Sequence, residues 1–64
     1  MPLLDMRGRE IKAGERVRSR NGRLIATVER EGDSLVAVWP DPRDESAENR
    51  LALDEESASN LEVI

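Results

Sequence analysis

The sequence predicts an all-β domain of about five short strands, bent into a small barrel, with one helical turn before the last strand. β-Forming residues occur in short runs that turn signals separate. The longest apolar run, residues 35–39, has the length of a single strand. With 64 residues the chain makes one domain over residues 1–64, and the core of such a domain is small.

The first two predicted strands flank the dipeptide Asn21-Gly22. Before it, Val17 and Ser19 alternate with arginines, so we expect the valine to face the core and the arginines to face water. After it, residues 24–28 carry β-formers and apolar side chains on both faces, which is typical of a strand in a sheet that curls over itself. Asn-Gly readily takes the two positive φ angles of a type I′ turn, so a tight hairpin is predicted.

Local signals also place the later strands. Residues 31–34 predict a turn, and the strand over residues 35–39 is the most apolar in the chain and should be central. Pro40 and Pro42 should end it, because proline lacks the N–H that a strand ladder requires. The chain closes with a short strand over residues 61–64.

The region before the last strand permits two interpretations. In the favoured one, residues 50–53 form a short strand with Leu51 and Leu53 facing inward. A charged loop over residues 41–49 then precedes this strand, and a helical turn over residues 54–60 follows it.

The alternative is a helix near residues 42–53, which would make the fold α+β. Asp41 would be its N-cap and Pro42 its first residue. Such a helix leaves Leu53 off the apolar stripe, whereas strand alternation uses both leucines. The strand is therefore preferred.

The predicted core contains the apolar residues that the strand faces direct inward. These are Ile11, Val17, Ile25, Val28, Val36, Val38, Leu51, Leu53, Leu61 and Val63. Residues 1–10 are expected to form an irregular lead-in, because Pro2 and Gly8 interrupt regular structure there.

The absent residue types exclude most catalytic chemistry. Without cysteine and histidine there is no disulfide, thiolate, Ser-His pair or ordinary zinc site, and no glycine-rich phosphate loop is present. Four carboxylates could offer oxygen ligands to a divalent cation, but a solvated acidic loop is the simpler interpretation; they are Asp41, Asp44, Glu45 and Glu48. We predict no enzymatic activity, no cofactor, no metal and no small-molecule substrate.

The N-terminus does not resemble a targeting segment. It lacks the charged region and the apolar run of a signal peptide, and no apolar run in the chain approaches the roughly 18 residues that span a bilayer. The absence of cysteine fits a reducing compartment. We therefore expect a cytoplasmic protein without membrane contact.

The charges are divided unevenly along the chain. The net charge is −4, but residues 1–28 carry seven basic and three acidic residues, whereas residues 29–64 carry three basic and eleven acidic ones. The basic half contains the predicted binding residues Arg16, Arg18, Arg20 and Arg23, whose spacing along a hairpin suits the phosphates of a nucleic-acid strand. The alternative is that acidic residues on adjacent strands neutralise these arginines, and the candidates are Glu29, Glu31 and Glu62.

Trp39 is the single aromatic residue of the chain. Base-stacking surfaces, proline-peptide grooves and methyl-lysine cages use several aromatic residues, so Trp39 does not build one alone. Packing at the core or its rim is the favoured role, and the functional alternative is an anchor for a protein partner.

Three short motifs carry a resemblance to a known fold. Gly14-Glu15-Arg16-Val17, then Asn21-Gly22, then Thr27-Val28 resemble the opening of small barrels of the KOW type, and residues 36–39 and 61–64 resemble the later strands. The chain is thus similar to SH3-like barrels over residues 11–64. The resemblance implies contact with a nucleic acid or a nucleoprotein.

Two functions are compatible with these features. The leading hypothesis is a small interaction module that contacts a nucleic acid or nucleoprotein through its arginines. The alternative is an adaptor that binds a protein, or a second copy of itself, through its basic and acidic faces.

Overall fold

The computed structural model describes residues 2–64, which form one five-stranded antiparallel sheet and one short helix. The strands are β1 (Arg16–Ser19), β2 (Ile25–Glu31), β3 (Ser34–Asp41), β4 (Asp44–Ala52) and β5 (Leu61–Val63). The helix is α1 (Glu55–Ala58). The prediction of an all-β domain with one helical turn before the last strand is therefore confirmed.

The strand order in the sheet is β4-β3-β2-β1-β5. The chain meanders through the first four strands, and β5 returns to pair with β1, so β4 and β5 are the edges of the sheet formed by residues 2–64. The hairpin between β2 and β3 closes where predicted, with Glu31 opposite Ser34. Gly32, at φ +64°, occupies the first position of this two-residue turn, where a type II′ turn requires a positive φ.

One face of the sheet carries the core. Val17 on β1 pairs with Ala26 on β2 and with Val63 on β5, so their side chains share this face. The core cluster consists of Ile11, Val17, Ala26, Val28, Ala37, Leu53, Ala58, Leu61 and Val63. Three alanines belong to this cluster although the predicted core did not include them: Ala26, Ala37 and Ala58.

Two predicted core residues are exposed instead. The exposed fraction is 43% for Ile25 and 44% for Leu51. Ile25 lies on the face of β2 opposite Ala26 and Val28, and this strand is covered on one face only. Leu51 shares the core face with its partner Ala37, but β4 is an edge strand and solvent reaches the side chain there.

Val36 and Val38 are buried as predicted, although on the face opposite the core cluster. Arg50 on β4 pairs with Val38, and its guanidinium lies 3.0 Å from Glu31 on β2. Because β4 and β2 flank β3, the arginine stem must cross above the valines of β3. The aliphatic part of Arg50 therefore helps to exclude water from them.

Strand β4 decides between the two interpretations of its region. A helix near residues 42–53 does not form, and neither does the charged loop predicted over residues 41–49. These residues form a strand because the chain reverses in a tight turn, in which Asp41 pairs with Asp44. The chain then runs antiparallel to β3 and pairs with it. The predicted strand over residues 50–53 is confirmed to within one residue, as the end of a longer strand.

Strand β3 continues through Pro40, where the sequence predicted its end. Pairing between β2 and β3 begins at Thr27 and Val38, so Pro40 has a ladder partner only on β4. Proline is tolerated in a strand where one side needs no N–H donor. The register also shifts between Pro40 and Asp41, as a bulge would produce.

Helix α1 lies inside the helical turn predicted over residues 54–60. The Asp54 carboxylate caps it by accepting a hydrogen bond from the Ser57 N–H at 2.7 Å, and this bond is the main cause that lowers the pKa of Asp54. Ala58 faces the core. The helix therefore closes one end of the domain between β4 and β5.

The segment over residues 2–10 lies along the edge strand β5. An isolated antiparallel bridge joins Leu4 to Glu10, and a turn connects them. The Met6 N–H donates to the Leu61 carbonyl at 2.8 Å. The predicted lead-in thus satisfies part of the outward backbone of β5.

Candidate functional site

The loop over residues 20–24 joins β1 to β2 and carries two of the four predicted binding arginines. The Ser19 N–H donates to the Leu24 carbonyl, and the Gly22 N–H donates to the Ser19 carbonyl, both at 2.8 Å. Gly22 has φ +75°, and no non-glycine residue among residues 2–64 has a positive φ. The predicted type I′ turn is therefore wrong, because it requires a positive φ at Asn21 as well.

Asn21 stabilises this longer loop through its side chain. Its Oδ1 accepts hydrogen bonds from the Ser19 hydroxyl at 2.6 Å and from the Arg23 N–H at 3.0 Å. Asparagine commonly supports turns in this way, by bonding to backbone two residues ahead. The backbone that bears Arg23 is therefore held in place.

The longer loop changes the layout of the arginines. Arg16 and Arg18 lie on β1 and are exposed on the face opposite buried Val17, as predicted. Arg20 and Arg23 belong to the loop rather than to the ladder. The prediction placed three arginines along one strand and the fourth across the turn. In the structure two of them lie on the strand and the other two lie on the loop. We call β1 and this loop, with their four arginines, the arginine hairpin.

Glu62 on β5 neutralises one member of the arginine hairpin. Arg18 Nη2 lies 2.6 Å from Glu62 Oε1, and Arg7 contacts the other carboxylate oxygen. The hydrogen bond from Arg18 is the main cause that lowers the pKa of Glu62 below its ordinary value. Of the other acids considered, Glu31 pairs with Arg50 and not with the hairpin.

The other three arginines of the hairpin have no such partner. Arg16, Arg20 and Arg23 are exposed, and none of them makes a salt bridge with any residue between 2 and 64. Their guanidinium groups are therefore open to an anionic partner.

Arg23 and Trp39, both predicted as site residues, line the same surface cavity. This cavity has a volume of about 430 Å³ and also contacts Ile25, Asp41 and Glu45. Trp39 is half-buried and packs against the core cluster, so the indole contacts both the core and the cavity. The cavity combines an exposed apolar side chain and an indole with charges of both signs.

Arg20 lies beside a second groove on the other side of the loop. This groove has a volume of about 500 Å³ and is bordered by Leu51 on β4, by Ser57 on α1 and by Leu61 on β5. It occupies the gap between the edge strand β4 and the helix. The arginine hairpin therefore stands between two grooves, each of which exposes one large apolar residue.

The acidic residues near the β3–β4 turn serve local structure. Asp41 Oδ1 accepts from the Arg43 N–H at 2.8 Å, and Asp44 Oδ1 accepts from the Ser46 hydroxyl at 2.7 Å. The Ser46 bond is the main cause that lowers the pKa of Asp44. Within residues 2–64 no three acidic side chains are grouped as a metal site would require.

Asp5 is a structural residue that sequence reasoning missed. Its Oδ1 accepts from the Arg7 and Arg9 N–H groups at 2.9 and 2.7 Å, and its Oδ2 accepts from the Val63 N–H at 3.0 Å. The signal was present, since aspartate followed three residues later by glycine is typical of a type I turn, and the Gly8 N–H does donate to the Asp5 carbonyl. The Asp5 carboxylate therefore links the N-terminal segment to β5 by hydrogen bonds.

No helix among residues 2–64 has the length and apolar character needed to cross a membrane. The candidate site as a whole is a surface that carries exposed guanidinium groups and two open grooves. Comparison of the chain with models of protein families, with curated proteins and with solved structures finds no match.

Proposed function

We propose that this protein is a non-catalytic interaction module whose arginine hairpin binds the phosphates of a nucleic acid. The observation that carries the proposal is the set of three exposed arginines, Arg16, Arg20 and Arg23, that have no acidic partner among residues 2–64. Guanidinium groups match phosphate oxygens in geometry and charge. The resemblance to KOW-type domains supports the same kind of partner.

The net charge of −4 does not decide this binding, because the field at a surface depends on the charges nearest to it. Strands β2 and β3 separate β1 from the acidic strand β4. At the usual strand spacing, three steps amount to roughly 14 Å, which exceeds the screening length of about 8 Å at physiological salt. The acidic side chains beside the arginine hairpin are Glu62, which is bound to Arg18, and Asp41 and Glu45, which share a cavity with Arg23. Arg16 and Arg20 carry most of the positive field that is left for a phosphate.

Contacts of this kind bind without reading sequence, because phosphates are the same at every position. Three contacts would give a slope of log affinity against log salt of about −3 for a duplex and about −2 for a single strand. We therefore expect weak binding that depends strongly on salt.

The test is a titration of a labelled oligonucleotide at several salt concentrations with the wild type and a double variant, Arg20→Ala with Arg23→Ala. Both residues lie in the exposed loop, so the fold should be retained. Removal of two phosphate contacts should make the slope less negative by about 2 on a duplex.

The matched control removes two arginines outside the hairpin, Arg30→Ala with Arg43→Ala, and so changes the net charge equally. Its slope should equal that of the wild type. No binding by the wild type at low salt would contradict the proposal. An equal loss of slope in both double variants would show that only net charge matters.

A second candidate, a protein-binding adaptor, is favoured by the cavity that joins Trp39 to charged residues. Ile25 and Trp39 offer apolar surface to a partner side chain, while Arg23 lies on one side and Asp41 and Glu45 complete the lining. A partner peptide with an apolar residue between charged ones would match this lining.

Trp39 provides the readout for this candidate, because it is the only tryptophan of the chain. Peptides selected from a displayed library against the wild type should share an apolar residue flanked by charges and should shift the Trp39 emission. Selection against the Ile25→Glu variant should lose these peptides. Selected peptides that leave the emission unchanged would count against this role of the cavity.

A further inference from the structure

The two edges of the sheet differ in whether their outward backbone groups are hydrogen-bonded. At β5 the outward backbone is occupied, since the Val63 N–H donates to the Asp5 carboxylate at 3.0 Å and the Leu61 carbonyl accepts from Met6 at 2.8 Å. Strand β4 is the longest strand, with 9 residues, and among residues 2–64 it pairs with β3 alone. An edge of this length is a template for another strand.

The hydrogen-bond pattern shows which groups of β4 are free to pair. The Leu53 N–H donates to the Leu35 carbonyl at 2.9 Å, so these two residues form a hydrogen-bonded pair between β4 and β3. In an antiparallel ladder such pairs alternate with pairs whose backbone groups point away. The residues of β4 with outward N–H and C=O groups are therefore Glu48, Arg50 and Ala52.

The sequence of β4 is complementary to itself around Asn49. When two β4 strands lie antiparallel with the two Asn49 residues opposite each other, Glu48 of each copy faces Arg50 of the other. In the same register Ala47 of each copy faces Leu51 of the other. Registers centred on Glu48 or on Arg50 would instead place like charges opposite each other, which is destabilising.

We propose that two copies of this protein associate by antiparallel pairing of their β4 strands around a two-fold axis at Asn49. Each Glu48 and Arg50 pair exchanges both of its backbone hydrogen bonds, because both residues direct these groups outward. Their side chains form an ion pair on one face. On the other face Leu51, which is 44% exposed, is covered by Ala47 of the second copy.

The existing partner of Arg50 does not oppose this arrangement. Both side chains of its ion pair with Glu31 are exposed to solvent, and exposed ion pairs contribute little to stability. Pairing along a single strand edge buries less than the roughly 1,200 Å² at which the standard range of interface areas begins, so the dimer should be weak and reversible. The dimer would carry two arginine hairpins. Its formation does not depend on whether these hairpins bind nucleic acid.

The test exchanges the paired charges and measures self-association by sedimentation over concentrations up to about 1 mM. Glu48→Arg alone places arginine opposite Arg50, and Arg50→Glu alone places glutamate opposite Glu48. Each variant alone should dimerise about tenfold more weakly than the wild type or worse, because two pairs become repulsive. An equimolar mixture of the two variants should associate again, since every pair is then of opposite charge.

The matched controls are Glu45→Arg and Arg43→Glu, which change the net charge equally but lie outside the central pairs. They should dimerise like the wild type, and the double variant Glu48→Arg with Arg50→Glu should do so as well. A wild type that stays monomeric throughout would overturn the proposal. So would a mixture of the single variants that associates no better than either alone.

Discussion

Replacement of Ile11 by alanine should lower the free energy of unfolding by about 2–5 kcal/mol, the range found when a buried isoleucine is truncated. Ile11 is 2% exposed and is one of the largest fully buried side chains. A domain of this size has a total stability on the order of 3–10 kcal/mol, so much of it would be lost. Urea denaturation followed by circular dichroism measures the change.

Ile25→Ala is the matched control, because it removes the same atoms from a residue that is 43% exposed. Its cost should stay below about 1 kcal/mol, as is usual for surface positions. The sequence placed both isoleucines in the core, so this pair of variants separates the two accounts. Equal losses at the two positions would contradict the core described by the structure.

Replacement of Asp5 by alanine should also destabilise the protein strongly, because three backbone N–H groups lose their acceptor. The Val63 N–H is buried, and an unsatisfied buried donor alone costs about 1–3 kcal/mol. Asp33→Ala, in the exposed turn between β2 and β3, provides the control and should change stability little.

The same carboxylate should make stability depend on acid pH. Burial tends to raise the pKa of Asp5, but hydrogen bonds from the Val63, Arg9 and Arg7 N–H groups outweigh it and hold the pKa below its ordinary value of 3.8. The stabilisation is therefore present above about pH 4 and is lost as the pH falls through the lowered pKa.

Denaturation curves of the wild type and Asp5→Asn between about pH 2 and pH 6 measure this contribution. Other carboxylates with lowered pKa values, such as Glu62, act in both proteins. The difference in stability between the two proteins should therefore shrink at low pH. A difference that stays constant across this range would show that ionised Asp5 has no special role.

The all-β class followed from the sequence because strand alternation and turn residues are local signals. The turn at Gly32 was placed correctly for this reason. The loop after Ser19 was not, although Val17 lies opposite Ala26, in the register that an Asn-Gly turn would also give. Pairing ends at Ser19 and Leu24 instead, because the Gly22 N–H bonds back to Ser19 and the Asn21 side chain bonds to Ser19 and Arg23 while its backbone lacks a positive φ.

The exposed apolar residues show the same division. Ile25 and Leu51 are as apolar as the buried residues, so composition assigns them to the core. Only the arrangement of strands shows that Ile25 lies on the uncovered face of β2 and that Leu51 lies at the sheet edge. Burial depends on which elements pack together, and a single strand does not contain that information.

For the candidate site, the charges, the four arginines of the hairpin and the absence of histidine and cysteine chemistry can be read directly from the sequence. The identity of the neutralised arginine depends on the fold. Arg18 and Glu62 are separated by 44 positions in the chain and meet because β5 returns to pair with β1. An ion pair acts over a few ångströms, so its existence depends on long-range packing rather than on composition.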